Sequence, residues 1–127
     1  MGEKAAILII EDHSSVRQTI MDILASRNYS FSEAESGEQA LKLLEQDDDG
    51  FDVIILDLKL PGMDGIETLK RARGMKAELA PKIILTGSLD PEFENEAREL
   101  GVFRYLKKSP LEIKPLRDAV REAIEPS

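Results

Sequence analysis

Two hydrophobic periodicities alternate along the chain. Short, largely apolar runs, rich in β-branched side chains, occupy residues 5–10, 51–56 and 83–86. Such runs predict strands buried on both faces of a parallel sheet. Residues 29–34 and 102–107 carry weaker strand patterns. Between the strands, apolar residues recur every three or four positions, which predicts helices. Val16, Ile20, Ile23 and Leu24 mark the first, and Ala40, Leu41, Leu43 and Leu44 the second. Ile66, Leu69 and Ala72 mark a third over residues 65–75, and Leu116, Ala119, Val120 and Ala123 the last. A further helix runs from Asp90-Pro91, a capping residue followed by proline at the first helical position, to about Leu100. Gly101 stops it.

Polar punctuation supports these boundaries. His13-Ser14-Ser15 supply capping chemistry, and Ser36-Gly37-Glu38-Gln39 reads as a capping box. Asp47-Asp48-Asp49-Gly50 reads as a solvated turn, because it lacks the alternating ligands of a calcium loop. Pro61-Gly62 and Asp64-Gly65 force a loop. Lys114-Pro115 stands at the start of the last helix.

Strand followed by helix, repeated five times, implies an α/β fold with a parallel sheet, helices on both faces and right-handed crossovers. Five strands suggest the doubly wound order 2-1-3-4-5. The first and third strands are then neighbours. Their carboxyl ends carry Glu11-Asp12 and Asp57, at the edge where ligands and chemistry gather in open α/β sheets.

Composition narrows the picture. The 127 residues are expected to form one domain, spanning 1–127. Cysteine is absent, which excludes disulfides and thiolate metal sites and fits a reducing, cytoplasmic setting. No apolar run approaches the roughly 20 residues of a membrane span, and no signal peptide is visible. The net charge of −8 opposes direct binding to nucleic-acid phosphates.

The candidate chemistry lies at the strand ends. Three carboxylates converging on one pocket would repel one another, and a hard divalent cation such as Mg²⁺ suits an all-oxygen cluster. The fourth strand adds the Thr86 hydroxyl and then Gly87, whose backbone can approach closely. The fifth ends in Lys107-Lys108. A carboxylate nucleophile, a metal, a hydroxyl and an ammonium together make up the apparatus of phosphoryl transfer to a side chain. Taken singly, each residue has a plainer role: helix cap, strand-end threonine, solvated lysine. His13, the sole histidine, reads as a solvent-facing residue at a helix start.

Four segments resemble the receiver domain of bacterial two-component response regulators, including the stand-alone chemotaxis type. They are Ile7-Leu8-Ile9-Ile10-Glu11-Asp12, Asp57-Leu58-Lys59-Leu60-Pro61-Gly62-Met63-Asp64-Gly65, Ile84-Leu85-Thr86-Gly87 and Tyr105-Leu106-Lys107-Lys108. The resemblance covers nearly the whole chain. It implies a flavodoxin-like (βα)5 fold. It implies that Asp57 accepts a phosphoryl group from a sensor histidine kinase or a histidine phosphotransfer protein. Asp12, Asp57 and the backbone carbonyl of Lys59 would ligate Mg²⁺, with Glu11 acting through water. Thr86 and the Gly87 amide would receive phosphoryl oxygens. Lys108, three residues after the aromatic, would be the site lysine, with Lys107 the second choice. Thr86 and Tyr105 would switch the surface of the fourth helix, fifth strand and fifth helix toward an output domain or protein. The implied role is a signalling switch, not an enzyme turning over a separate substrate.

One segment departs from the family. Its lysine is usually followed directly by proline, often through a cis bond. Here the order is Lys108-Ser109-Pro110, and a cis bond without proline costs about 2.5–4 kcal/mol. Lys59 is also notable, as a long cationic side chain two residues after Asp57. Three other functions fit the residues less well. A haloacid-dehalogenase-like phosphatase needs a second aspartate where Lys59 stands. A flavodoxin-like cofactor carrier or nucleotide binder needs a phosphate loop after the first strand, where acids stand instead. A degenerate receiver used only for docking would not need the full set of acids, threonine and lysine.

Overall fold

The computed structural model describes residues 4–46, 50–75, 80–87, 90–108 and 110–125. Along them run β1 (Ala5–Ile10), α1 (Ser14–Leu24), β2 (Tyr29–Ala34), α2 (Gly37–Gln46) and β3 (Val53–Leu56). These are followed by α3 (Gly65–Ala72), β4 (Lys82–Thr86), α4 (Pro91–Glu99), β5 (Arg104–Lys107) and α5 (Ile113–Ile124). The strands form one parallel sheet in the order β2-β1-β3-β4-β5. The doubly wound order expected from the alternation is the order observed.

The central strands are continuous apolar runs because each feeds two cores. Side chains alternate across a strand. Leu8, Ile10, Ile54, Leu56 and Ile84 pack against α2, α3 and α4 through Ala40, Leu44, Ile66, Leu69 and Ala97. Ile7, Ile9, Val53, Ile55, Ile83 and Leu85 pack on the other face against Ile20 and Leu24 of α1 and Leu116, Ala119 and Val120 of α5. Each fully buried Ile or Leu contributes roughly 1.5–3 kcal/mol. The edge strands β2 and β5 are only partly buried, which explains their weaker sequence signal.

Register sets the functional edge. Ile10 pairs with Leu56, and the ladder continues one residue beyond. Asp57 N–H donates to Ile10 O at 3.0 Å, and Glu11 N–H donates to Ala34 O at 3.0 Å. On the other side Lys108 N–H donates to Thr86 O at 2.8 Å. Glu11 and Asp57 are therefore level, with Thr86 one residue and Lys108 two residues further along the same edge.

Several boundaries differ from the sequence expectation. The third helix ends at Ala72, with Arg73 extended and Gly74 at φ +87°, short of the expected Met75. Met75 still packs on the core, so its apolar character reflects burial after the helix rather than within it. The fifth strand begins at Arg104, not residue 102. Val102 N–H instead closes the end of α4 on Ala97 O at 3.3 Å. Residue His13 caps α1 without a side-chain hydrogen bond, so the serines do not cap this helix. At α2 the Ser36 hydroxyl accepts from Gln39 N–H at 3.1 Å, while the Gln39 amide oxygen accepts from Glu35 N–H at 2.6 Å, one residue earlier than a capping box requires. Asp90 caps α4 as expected, accepting from Glu92 N–H at 2.9 Å, and Gly101 follows that helix at φ +82°. The acidic run 47–49 lies outside the described residues.

The loop after Asp57 returns over the strand end. Gly65 N–H donates to Leu58 O at 2.8 Å, and Leu58 and Leu60 are buried. A Cβ on Gly65 would lie 2.5 Å from the Asp57 carbonyl oxygen and 2.7 Å from Leu58 Cα, both backbone atoms. Helix propensity alone would favour Gly65→Ala by up to about 1 kcal/mol. Overpacking against backbone costs about 1–3 kcal/mol and wins. Urea denaturation of Gly65→Ala should show a net loss of stability, and a net gain would contradict this packing.

Candidate functional site

Asp57 leaves β3 at the carboxyl edge of the sheet and is 4 % exposed. Oδ1 accepts from the Lys59 backbone N–H at 3.2 Å, and Oδ2 accepts from Lys108 Nζ at 2.7 Å. The same ammonium donates to Glu11 Oε1 at 2.7 Å. Glu11, 2 % exposed, thus sits beside Asp57 across β1 and β3, with Lys108 bridging them. The burial of two acids at adjacent strand ends is tolerable because they share this cation.

Lys108 reaches the acids because its backbone extends the β5 ladder beyond Lys107. Successive residues of a strand face opposite ways, and Lys107 is exposed while Lys108 is half-buried. The structure brings Lys108 and not Lys107 to the acids. Burial disfavours the Lys108 charge, but hydrogen bonds to Asp57 and Glu11 outweigh it and hold the amine above the ordinary lysine value. Ser109 lies outside the described residues, so the family's Lys-Pro geometry has no counterpart to compare here.

Asp12 is the third acid. Its carboxyl is held below the usual aspartate value, first by a hydrogen bond with Glu11 and opposed by burial. Its own backbone amide and the charges of His13 and Lys108 lower it further. Asp12 Oδ1 is buried and accepts no hydrogen bond among the described residues. His13 Nδ1 lies 3.2 Å from this oxygen but out of hydrogen-bonding alignment. The imidazole, 65 % exposed, faces solvent at the helix start as expected. It also approaches Glu11 Oε2 at 3.2 Å, and the His13 backbone N–H donates to that oxygen at 3.0 Å. Glu11, Asp12 and His13 place one donor atom each within 4.8 Å of one another. An orphaned, buried carboxylate oxygen next to further acids fits a hard cation.

Thr86 ends β4, 1 % exposed, and the space above Gly87 is open for at least 4 Å around a would-be Cβ. Tyr105 of β5 is half-buried and packs on the core formed with α2, α3 and α4. Its hydroxyl is buried without a partner among the described residues. Burial, then the charge of Glu94, pushes the phenol above its ordinary value. The Lys59 side chain is exposed.

Sequence reasoning missed Arg17. This side chain of α1 is buried, donating from Nη1 to the Glu11 carbonyl at 2.7 Å and from Nε to Glu33 Oε1 at 2.8 Å. Its signal was position: three residues before Ile20 and seven before Leu24, it lies on the inward stripe of the helix.

Comparison with known proteins accords with this geometry. Residues 7–121 match the model of the response regulator receiver domain. The chain is 34 % identical over 122 residues to Sporulation initiation phosphotransferase F of Bacillus subtilis (strain 168), covering 96 % of this chain and 94 % of that protein. It is 36 % identical over 110 residues to Transcriptional regulatory protein ResD of the same organism, covering 84 % of this chain but only 44 % of that protein. A receiver domain protein (CheY-like) from Methanospirillum hungatei JF-1 superposes with a TM-score of 0.86 at 25 % identity, covering 96 % of this chain and 94 % of that one. No helix among the described residues is long and apolar enough to cross a membrane. A parallel sheet in the order 2-1-3-4-5, acids and a lysine gathered at its carboxyl edge, and a family match over most of the sequence lead to one conclusion: this chain belongs to the response regulator receiver domain family, the phosphoacceptor domains of two-component systems.

Proposed function

We propose that Asp57 is the residue that takes the phosphoryl group. The observation that carries this is its double anchorage: a buried strand-end carboxylate with one oxygen on the Lys108 ammonium and the other on the Lys59 amide. A carboxylate oxygen of Asp57 attacks phosphorus, the phosphorus–nitrogen bond of a donor phosphohistidine breaks, and the imidazole leaves with its electron pair. Lys108, already at the Asp57 carboxylate, stabilises charge on the transferred group. Thr86 and the Gly87 amide, at the neighbouring strand end, receive phosphoryl oxygens. Asp12, Asp57 and the Lys59 carbonyl would hold Mg²⁺, with Glu11 acting through water. When bound, that cation offsets the charge of the acids and of the incoming phosphoryl group.

The donor is a sensor histidine kinase or a histidine phosphotransfer protein in the cytoplasm. The output is a change of surface. A phosphoryl group adds about −1.5 to −2 charges and three acceptor oxygens. Thr86 turns toward it, and Tyr105 follows against α4, altering the face made by α4, β5 and α5 for a downstream domain or protein. The receiver family generally comprises switches and not turnover enzymes. This chain would promote its own phosphorylation and dephosphorylation only.

Incubation with acetyl phosphate and Mg²⁺ should add one phosphate by intact mass, and Asp57→Asn should remove it. An unchanged yield in the variant would overturn the assignment of Asp57.

Mg²⁺ should also stabilise the fold. A ligand at a hundred times its Kd adds about 2.7 kcal/mol, so the midpoint of thermal unfolding should climb with Mg²⁺ concentration. Asp12→Asn should lose most of that increase. Equal increases in both proteins would place the cation elsewhere.

A further inference from the structure

Arg17 touches none of the reacting groups, yet it grips the peptide that carries the acid pair. It is 7 % exposed. Nη1 donates to the Glu11 carbonyl at 2.7 Å, Nε donates to Glu33 Oε1 at 2.8 Å, and Nη2 lies 3.8 Å from Glu35 Oε1. Glu33 sits on β2 opposite Ile9 of β1. The guanidinium therefore ties α1, the end of β2 and the end of β1 into one unit. Only the planar fork of arginine serves two acceptors in fixed directions.

The peptide between Glu11 and Asp12 is planar. Fixing its carbonyl also fixes the Asp12 N–H on the opposite side. The Asp12 side chain springs from the Cα next to that N–H, and its Oδ1 is the buried oxygen without a hydrogen-bond partner among the described residues. Rotation of this peptide would displace the Asp12 carboxylate relative to that of Glu11, which sits beside Asp57 across the Lys108 ammonium.

We propose that Arg17 is a positioning residue for cation binding: its bond to the Glu11 carbonyl holds the Glu11–Asp12 peptide so that Asp12 Oδ1 stays aimed at the site. This rests on the assignment of the acid pair to Mg²⁺. Groups that orient metal ligands from behind typically account for 10–100-fold in metal affinity. A purely structural role, an ion pair joining α1 to β2, would instead depend on Glu33 as much as on Arg17.

The test compares Arg17→Met, Arg17→Lys and Glu33→Ala with the parent protein. Two quantities are read: the Mg²⁺ dissociation constant by NMR titration, and the Asp12 backbone amide shift without metal. Arg17→Met should weaken Mg²⁺ about tenfold or more and move the Asp12 amide. Glu33→Ala, which leaves the bond to the Glu11 carbonyl in place, should change affinity less than about twofold and leave that amide where it was. Arg17→Lys, which keeps the charge but not the fork, should fall between them and serves in place of Arg17→Met if that variant does not fold. Equal weakening by Arg17→Met and Glu33→Ala would overturn the proposal. So would an unmoved Asp12 amide in both Arg17 variants. If the parent protein binds no Mg²⁺ yet the amide moves only in the Arg17 variants, the metal assignment fails while the positioning of the peptide stands.

Discussion

The structure turns on one ammonium shared by two buried carboxylates. Glu11 and Asp57 are forced together because β1 and β3 are neighbours in register, and both strands end at the same level. Taking charges out of water costs several kcal/mol per ion, and only close, well-directed partners offset this. Lys108 supplies two contacts of 2.7 Å from a third strand end. The sheet order therefore serves electrostatics as well as packing. With β5 elsewhere, the two acids would have no cation from that strand, and the central strands could not end in charge.

The balance remains incomplete. Asp12 adds a third acid with an oxygen unpartnered among the described residues, so the acids outnumber the one ammonium between them. That imbalance is a natural invitation to a divalent cation, and it makes the site sensitive to a further anion. Under the proposed function, a phosphoryl group on Asp57 would compete for Lys108 and draw on Thr86. Tyr105 packs against the core near α4 with a buried hydroxyl that has no partner among the described residues, which costs about 1–3 kcal/mol. Two arrangements separated by a few kcal/mol are what a switch needs.

Much of this was legible in the residues. The continuous apolar runs gave three central strands, and alternation of strand and helix gave the sheet order. The carboxyl-edge rule then put Glu11, Asp12, Asp57 and Thr86 together. Counting from Tyr105 chose Lys108, and strand alternation explains why Lys107 turns outward. Other features were not legible because they depend on partners distant in sequence. Arg17 lies on the inward stripe of α1, but its partners, the Glu11 carbonyl and Glu33, are set by the fold and not by spacing along the helix. Met75 lengthened the expected third helix because burial after a helix imitates burial within it. Val102 lengthened the fifth strand because its backbone caps α4 instead of pairing in the sheet.

The central claim is that the Lys108 charge is held by Glu11 and Asp57 against the penalty of burial. Its most direct test is the titration of Lys108 Nζ followed by ¹⁵N NMR. In the parent protein the amine should titrate above the ordinary lysine value. A raised pKa means that this interaction stabilises the fold fully below the unfolded-state value and is lost as pH rises through the folded one. In the Glu11→Gln, Asp57→Asn double variant burial is opposed only by the Asp12 charge, and the titration should fall well below that of the parent protein. An identical midpoint in both proteins would show that the ammonium is not bonded to these acids, contradicting the account.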